Sequence, residues 1–447
     1  MAVSISKSKA NGFVEYEQQE KFAFVPYFSN GENRLYYGDN LDVLQILAED
    51  ANVCGKVNLI YIDPPYSTGG IFQTRSQKDA YSDTLVGNDY LEFMQRRIIL
   101  LHKLLSDEGS FYIHLDSKML FHIKLMLDDI FGGNNFQGMI TRKKCKPKNY
   151  TRKTYGNISD YILFYAKTNK PVWNRPFDEW TDEKMLKEYP FIEEKTGRRY
   201  KKVPIHAPGA RNGESGKMWH GMMPPQGKHW QFVPDTLELM DKRGEIYWSS
   251  NGNPRRKVYL ENSKGIPVQD IWLDYLDSNN QNTKGTGYPT EKNPEMLKRI
   301  IEASSNKGDL ILDCFAGSGT TLSVADELER KWIGIDSSQE AICTIFARFL
   351  EGTSALGDFV EKKTRQNGFF HLFESPEKSP DSHRNLLANF TFFAENLDDK
   401  EIEAKVSTIK SAVETVLSRG RVVIENGECL VDKGSGEFVK RGECVKI

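Results

Sequence analysis

The feature that most constrains the fold is a pair of apolar runs, each ending at an acid followed by turn-forming residues. Val57-Asn58-Leu59-Ile60-Tyr61-Ile62 leads into Asp63-Pro64-Pro65-Tyr66-Ser67-Thr68-Gly69-Gly70. Far downstream, Leu310-Ile311-Leu312 leads into Asp313-Cys314-Phe315-Ala316-Gly317-Ser318-Gly319-Thr320-Thr321. Short, nearly unbroken apolar runs fit strands buried on both faces, as in parallel sheets. The loops that follow such strands are where open α/β sheets hold their ligands.

The segments between alternate in period. Leu35–Asn40 reads as a strand running into a turn, after which Leu41, Leu44 and Leu47 share one helical face. Leu91, Met94, Ile98, Leu101 and Leu105 recur at three- and four-residue steps, which predicts an amphipathic helix stopped by Gly109. Ser110–Asp116, Tyr161–Ala166 and Trp332–Asp336 read as further strands, with helices over 119–131, 294–304 and from Thr320 to Arg330. Such alternation predicts an α/β chain with a doubly wound, mostly parallel sheet. The polar stretch 73–88 is a candidate lid over the first loop.

The rhythm breaks over 169–282, where Pro, Gly, Lys and Arg accumulate and six of the seven tryptophans fall. The expected organisation is an N-terminal arm (1–30), a first half of the α/β domain (31–168), the insertion (169–282), a second half (283–355) and a small α+β C-terminal domain (356–447). In the last, 401–417 reads as a helix and Asn426-Gly427 as a hairpin turn. Six scattered cysteines without a CxxC pair argue against a zinc site or disulfide framework and fit a reducing cytosol. With no signal peptide and no apolar run long enough to span a bilayer, a cytoplasmic protein without a membrane role is expected.

The first loop suits chemistry on a flat exocyclic amine, whose lone pair is delocalised into its ring. Acceptors on the N–H groups would draw that lone pair out of conjugation. Asp63 offers one and the carbonyl of Pro64 another, while Pro64 and Pro65 stiffen the turn. Tyr66 offers a flat face for a base taken out of a stack. In the second loop, Gly317 and Gly319 allow close approach of a ligand to the backbone, and Asp336 ends the next strand about 20 residues on, where an acid commonly takes ribose hydroxyls. The spacing differs from the GxGxxG fingerprint and lacks a Walker lysine, which points away from NAD and ATP toward another nucleoside cofactor.

Asp-Pro-Pro-Tyr at 63–66 together with Phe-Ala-Gly-Ser-Gly-Thr-Thr at 315–321 resembles the amino-methyltransferases of DNA. The catalytic motif precedes the cofactor motif here, with a large insertion between, which is similar to the beta group of those enzymes. The 59–69 and 93–116 blocks look closest to Mod subunits of type III restriction-modification systems. The resemblance implies a Rossmann-like, S-adenosylmethionine-dependent fold with a target-recognition insertion and no metal. It implies that Asp63, Pro64, Pro65 and Tyr66 hold the target base. It further implies that Asp39, Thr290, Lys292, Asp313, Phe315, Gly317, Gly319, Thr320 and Asp336 hold S-adenosyl-L-methionine. Two departures stand out: Cys314 and Asn293 occupy positions where Pro is frequent.

Net charge is −2, so any contact with nucleic acid must come from local patches. The stretch 141–156 carries Arg142, Lys143, Lys144, Lys146, Lys148, Arg152 and Lys153 and no acid. Smaller runs in the insertion contain Arg198 with Arg199 and Arg255 with Arg256. Cations interleaved with aromatics point to nucleic acid, which the resemblance implies is double-stranded DNA. The expected activity is transfer of a methyl group to adenine N6 within a restriction-modification system, with a homodimer or a helicase-nuclease restriction subunit as candidate partners. Cytosine-N4 methylation and a non-catalytic DNA-specificity subunit are the alternatives.

Overall fold

The computed structural model describes residues 24–65, 70–73, 79–83, 87–147, 153–277, 283–286, 288, 291–351, 353–356, 390–395, 422–425 and 428–431. They form two compact units, one of 1–174 with 269–447 and the other Arg175–Val268.

The first unit is built on a ten-stranded sheet. Its strands run in the order Phe24–Asn30, Phe390–Glu395, Asn33–Tyr37, Lys331–Asp336, Leu310–Asp313, Val57–Ile62, Leu105–Leu115, Ser159–Ala166, Phe136–Lys143 and Ile271–Trp272. From Phe390–Glu395 to Leu105–Leu115 every neighbouring pair is parallel, and Ser159–Ala166 is antiparallel to both its neighbours. Helices Asn40–Glu49, Asn88–Leu104, Pro294–Ser304, Thr320–Glu327 and Gln339–Glu351 accompany the sheet. Leu41, Leu44 and Leu47 are buried, as their shared face predicts.

The expected strand starts and stops shift in places. The Asn88–Leu104 helix ends five residues ahead of Gly109, because Leu105 already adopts extended backbone and opens the next strand. Within the 73–88 stretch expected as a lid, Asp79–Asp83 pairs antiparallel with Gly70–Gln73. Residues 24–30, expected as an arm, and 390–395, expected in a separate C-terminal domain, pair with one another at the sheet edge. Strands Val422–Glu425 and Glu428–Val431 pair antiparallel, while Asn426-Gly427, expected as the turn between them, lies outside the described residues. The expected helix 401–417 lies outside the described residues.

The second unit contains a four-stranded antiparallel sheet ordered Phe191–Ile192, Arg199–Pro204, Pro254–Tyr259, Ile246–Trp248. Trp219, Trp230, Ile205, Leu237, Met240 and Ile246 form its core. Two of its tryptophans are therefore packing residues.

Candidate active site

Chain order places the two loops far apart, but strand order joins them. Leu310–Asp313 and Val57–Ile62 are adjacent and parallel, with Ile311 opposite Leu59 and Leu312 opposite Ile60. From Leu310–Asp313 the chain continues to its neighbour on one side, and from Val57–Ile62 to its neighbour on the other. The crevice between their C-terminal ends is thus the switch point of the sheet. That register sets Asp63 beside the turn that follows Asp313.

Asp63 is partly exposed, Pro64 is buried and Pro65 half-buried. Asp63 Oδ2 accepts an ion pair from Lys292 Nζ at 2.8 Å. Lys292, expected at the cofactor's carboxylate, is thereby bound to the Asp63 loop. Tyr66 and Thr290 lie outside the described residues.

The Gly-rich turn is fastened from several directions. Asp313 is buried, and its Oδ1 accepts the Phe315 N–H at 3.0 Å. Burial, with the nearby carboxylates of Asp63 and Asp336, pushes its carboxyl up to about 7. Asp313, expected at the cofactor, is thus placed beneath the turn, where it organises the backbone. Thr320 is likewise buried, 2.9 Å from the hydroxyl of Ser318. Asp336 accepts from Gly317 N and Ser338 N, each at 2.8 Å, and burial pushes it up to about 6. A carboxylate has about four acceptor sites, so it retains capacity for a hydroxyl. Phe315 and Gly317 are the partly exposed members of the turn.

Asp39 N-caps the Asn40–Glu49 helix by accepting from Leu41 N at 2.7 Å, and it pairs with Arg97 Nη2 at 2.9 Å. With its side chain 54% exposed, it remains available at the strand end. Asn40 donates to the carbonyl of Cys314 at 2.7 Å and accepts from Arg97 Nε. Arg97 and Asn40 therefore hold the Asp39 loop against the Asp313–Phe315 loop. Sequence reading passed over both. The signal was present, since Arg97 interrupts the buried stripe of Tyr90, Met94, Ile98 and Leu101.

Glu291 was passed over as well. Buried, it pairs with Arg348, which also donates to Ser318 O at 2.6 Å and Thr320 Oγ1 at 3.0 Å. Adjacent residues of one loop thus serve opposite walls, Glu291 toward the Gly-rich turn and Lys292 toward Asp63. Asn293, one of the two departures from the family pattern, caps the Pro294–Ser304 helix by accepting from Glu295 N, and Pro294 takes the first helical position. The Pro is displaced by one residue and the helix start preserved. Cys314, the other departure, is buried and leaves its carbonyl to Asn40.

The basic residues divide. Arg142, expected to face DNA, is instead fully buried: it donates to both oxygens of Asp160, at 2.8 and 2.6 Å, and to Asp277 at 2.6 Å. A guanidinium buried this completely is closed off from a phosphate. Lys143 and Lys144 are half-buried, Lys146 and Lys153 exposed, and Lys148 and Arg152 lie outside the described residues. In the second unit Arg198 is ion-paired to Glu261 and lies over the Tyr259 ring, while Arg199 donates to the carbonyl of Tyr189. Arg256 lies 5.4 Å from the centre of the Phe232 ring, and Arg255 is exposed.

A Gly-rich turn and an Asp-Pro-Pro loop at neighbouring parallel strand ends fit a Rossmann-like methyltransferase in which the Asp-Pro-Pro loop comes first in the chain. The chain belongs to the DNA methylase family, which matches residues 57–347. It is 48% identical to the type II methyltransferase M.EcaI of Enterobacter cloacae over 73% of this chain and 72% of that protein. It is 29% identical to the StyLTI Mod subunit, a type III restriction-modification enzyme of Salmonella typhimurium, over 71% of this chain and 53% of that subunit. To the type II methyltransferase M.KpnI of Klebsiella pneumoniae it is 28% identical, over 70% of this chain and 80% of that protein. Among the described residues no helix is long and apolar enough to cross a membrane.

Proposed function

We propose that the protein transfers a methyl group from S-adenosyl-L-methionine to the N6 amine of an adenine flipped out of double-stranded DNA. The single observation that carries this reading is the carboxylate of Asp63 at the switch point, beside the Gly-rich turn. Its first-position Asp resembles adenine enzymes, whereas cytosine-N4 enzymes more often have Ser there.

S-adenosylmethionine supplies an already activated methyl group on sulfur. What remains for the protein is placement, which accounts for much of a barrier's reduction when reacting atoms are aligned. Asp63, held by Lys292, would accept from an amine N–H, with the Pro64 carbonyl as a second acceptor. Tyr66 would stack on the base. Phe315, Gly317 and Gly319 would line the methionine end of the cofactor, Asp336 its ribose and Asp39 its adenine, while Thr290 and Lys292 would approach its carboxylate. Asp313 and Thr320 support these contacts from below.

Lys143, Lys144, Lys146 and Lys153, with Lys148, Arg152 and Arg255, are the cations we assign to phosphate. The Mod-subunit and type II relatives support membership of a restriction-modification system and a cytoplasmic site of action. Phe121 and Leu125, 70% and 63% exposed one turn apart on the Leu120–Leu127 helix, support self-association as a homodimer.

The test is to incubate unmodified genomic DNA with the protein and labelled donor, digest it to nucleosides and separate them. N6-methyldeoxyadenosine is the expected product. N4-methyldeoxycytidine would move the target to the alternative base, and no labelled nucleoside would end the reading.

A further inference from the structure

Beneath the catalytic loop runs a chain of buried polar side chains that the scheme above does not use. Tyr61, two residues before Asp63 and 1% exposed, has its hydroxyl 2.9 Å from Nδ1 of His114. Nε2 of His114 lies 2.9 Å from Oδ2 of Asp160. Asp160 is held by Arg142, and Arg142 also meets Asp277 and donates to the carbonyl of Tyr275 at 3.3 Å. An ionised carboxylate can only accept, so the neutral imidazole turns an Nε2 hydrogen toward Asp160, close but not well aligned for a hydrogen bond, and Nδ1 accepts from the Tyr61 hydroxyl. Burial opposes a charge on His114, which keeps the ring neutral near pH 7.

Buried ionic groups are weak sources of stability, because apolar packing of equal volume often does as well. What such a chain adds is fixed geometry, and its two ends indicate what is fixed. One end is the strand that presents Asp63. The other is the root of the basic 143–153 segment: Lys144 N donates to Ile158 O at 2.9 Å, and Lys144 O accepts from Asp277 N at 2.8 Å. The chain crosses four neighbouring strands, Val57–Ile62, Leu105–Leu115, Ser159–Ala166 and Phe136–Lys143.

We propose that Tyr61 and His114 are positioning residues for methyl transfer, fixing the strand end that presents Asp63 relative to the root of the Lys143–Lys146 segment. A duplex gripped by those lysines then delivers its amine in register with the carboxylate. The inference rests on the assignment of Asp63 to the target amine.

Tyr61→Phe removes the hydroxyl and keeps the ring, and His114→Asn keeps a polar group near Nδ1 while losing the link to Asp160. With unmodified genomic DNA as substrate, each should lower kcat by about ten- to a hundredfold, the scale of a misplacement near 1 Å. KM for S-adenosylmethionine and DNA affinity should stay within about twofold, since only alignment is disturbed. Loss of packing alone would instead lower the melting temperature and degrade all constants together. Unchanged kcat in Tyr61→Phe overturns the proposal, as does a parallel loss of cofactor affinity. If His114→Asn does not fold, Tyr61→Phe decides. Asp63→Ala is assayed alongside. Retained activity there removes the site assignment and this inference with it, whereas an inactive Asp63→Ala beside a fully active Tyr61→Phe removes the positioning role alone.

Discussion

Nζ of Lys292 and Oδ2 of Asp63 are 2.8 Å apart, joining the loop before the Pro294–Ser304 helix to the end of the Val57–Ile62 strand. With side chains 10% and 18% exposed, the pair is shielded enough that removing one partner strands a carboxylate in the crevice. Lys292→Met should therefore lower methyl transfer by about tenfold or more, and Lys292→Arg should recover part of it. Thermal melting should show coupling. The double variant Asp63→Asn with Lys292→Met should lose less than the two single losses summed, by about 0.5–3 kcal/mol. Strict additivity would mean that the two side chains do not act as a unit.

Asp63→Ala should abolish methyl transfer while leaving equilibrium binding of S-adenosylmethionine within about twofold, because the cofactor-fitting turn is fastened by Asp313, Asp336 and Arg348. Calorimetric titration beside a methylation assay checks this. Equal loss of both would show that the two loops do not divide the work.

The cations of the 141–156 stretch should separate into two classes. Neutralising Lys143, Lys144 and Lys146 should weaken DNA binding on all sequences and flatten its salt dependence, by a slope of about 0.9 for each phosphate that is no longer neutralised. Arg142→Met should act on folding, since it leaves Asp160 buried without its bidentate partner, at a cost of about 3–5 kcal/mol. Binding measured against salt and unfolding by denaturant discriminate the two. Arg142→Met that folds normally and is impaired only in DNA binding would return Arg142 to the surface class.

Legibility in the sequence followed period and local chemistry. The parallel strands at 57–62, 310–313 and 331–336 were readable because burial on both faces demands continuous apolar runs. The helix faces were readable because Leu41, Leu44 and Leu47 repeat with the helical turn. The placement of Asp63 and the Gly-rich turn at strand ends was readable because each follows a continuous apolar run. The edge pairing of 24–30 with 390–395 was not readable, since it depends on partners more than 350 residues apart. Arg142 was misread for a related reason. In the sequence it is one cation among seven, and only the partners Asp160 and Asp277, brought in from other segments, reveal it as buried. Glu291 and Lys292 are adjacent letters, and their division between two walls is a property of the loop alone.

Asp313 gives a pH-dependent prediction. Its carboxyl titrates at about 7 when folded, against about 3.9 in an unfolded chain. The folded state thus binds the proton more tightly, so this contribution to stability is complete below pH 4 and is lost as pH rises through 7. Asp313→Asn lacks that titration and can still accept from Phe315 N through its amide oxygen. Relative to the parent, it should gain stability between pH 5 and pH 8, by no more than about 4 kcal/mol across the full titration. Denaturant melts at the two pH values measure it. Identical pH dependence in both proteins would show that the buried carboxyl does not titrate in this range.

Gly319 and Gly308 offer a matched pair for testing how the turn meets its ligand. Both adopt positive φ, +72° and +83°, where a Cβ costs about 1–2 kcal/mol. Around Gly308 an added Cβ meets nothing within 4 Å, whereas at Gly319 it would sit 2.8 Å from Cγ1 of Ile345 on the Gln339–Glu351 helix. Gly308→Ala should therefore lose only the backbone term and bind S-adenosylmethionine as the parent does. Gly319→Ala adds an overpacking term of about 1–3 kcal/mol, and relieving it must move either the helix or the turn. Ile345 is itself fully buried, and the turn carries the partly exposed Phe315 and Gly317. The turn therefore yields more readily than the helix, and cofactor affinity should fall along with melting temperature. Equal cofactor affinity in the two variants, with only stability separating them, would mean that the backbone at Gly319 does not shape the cofactor site.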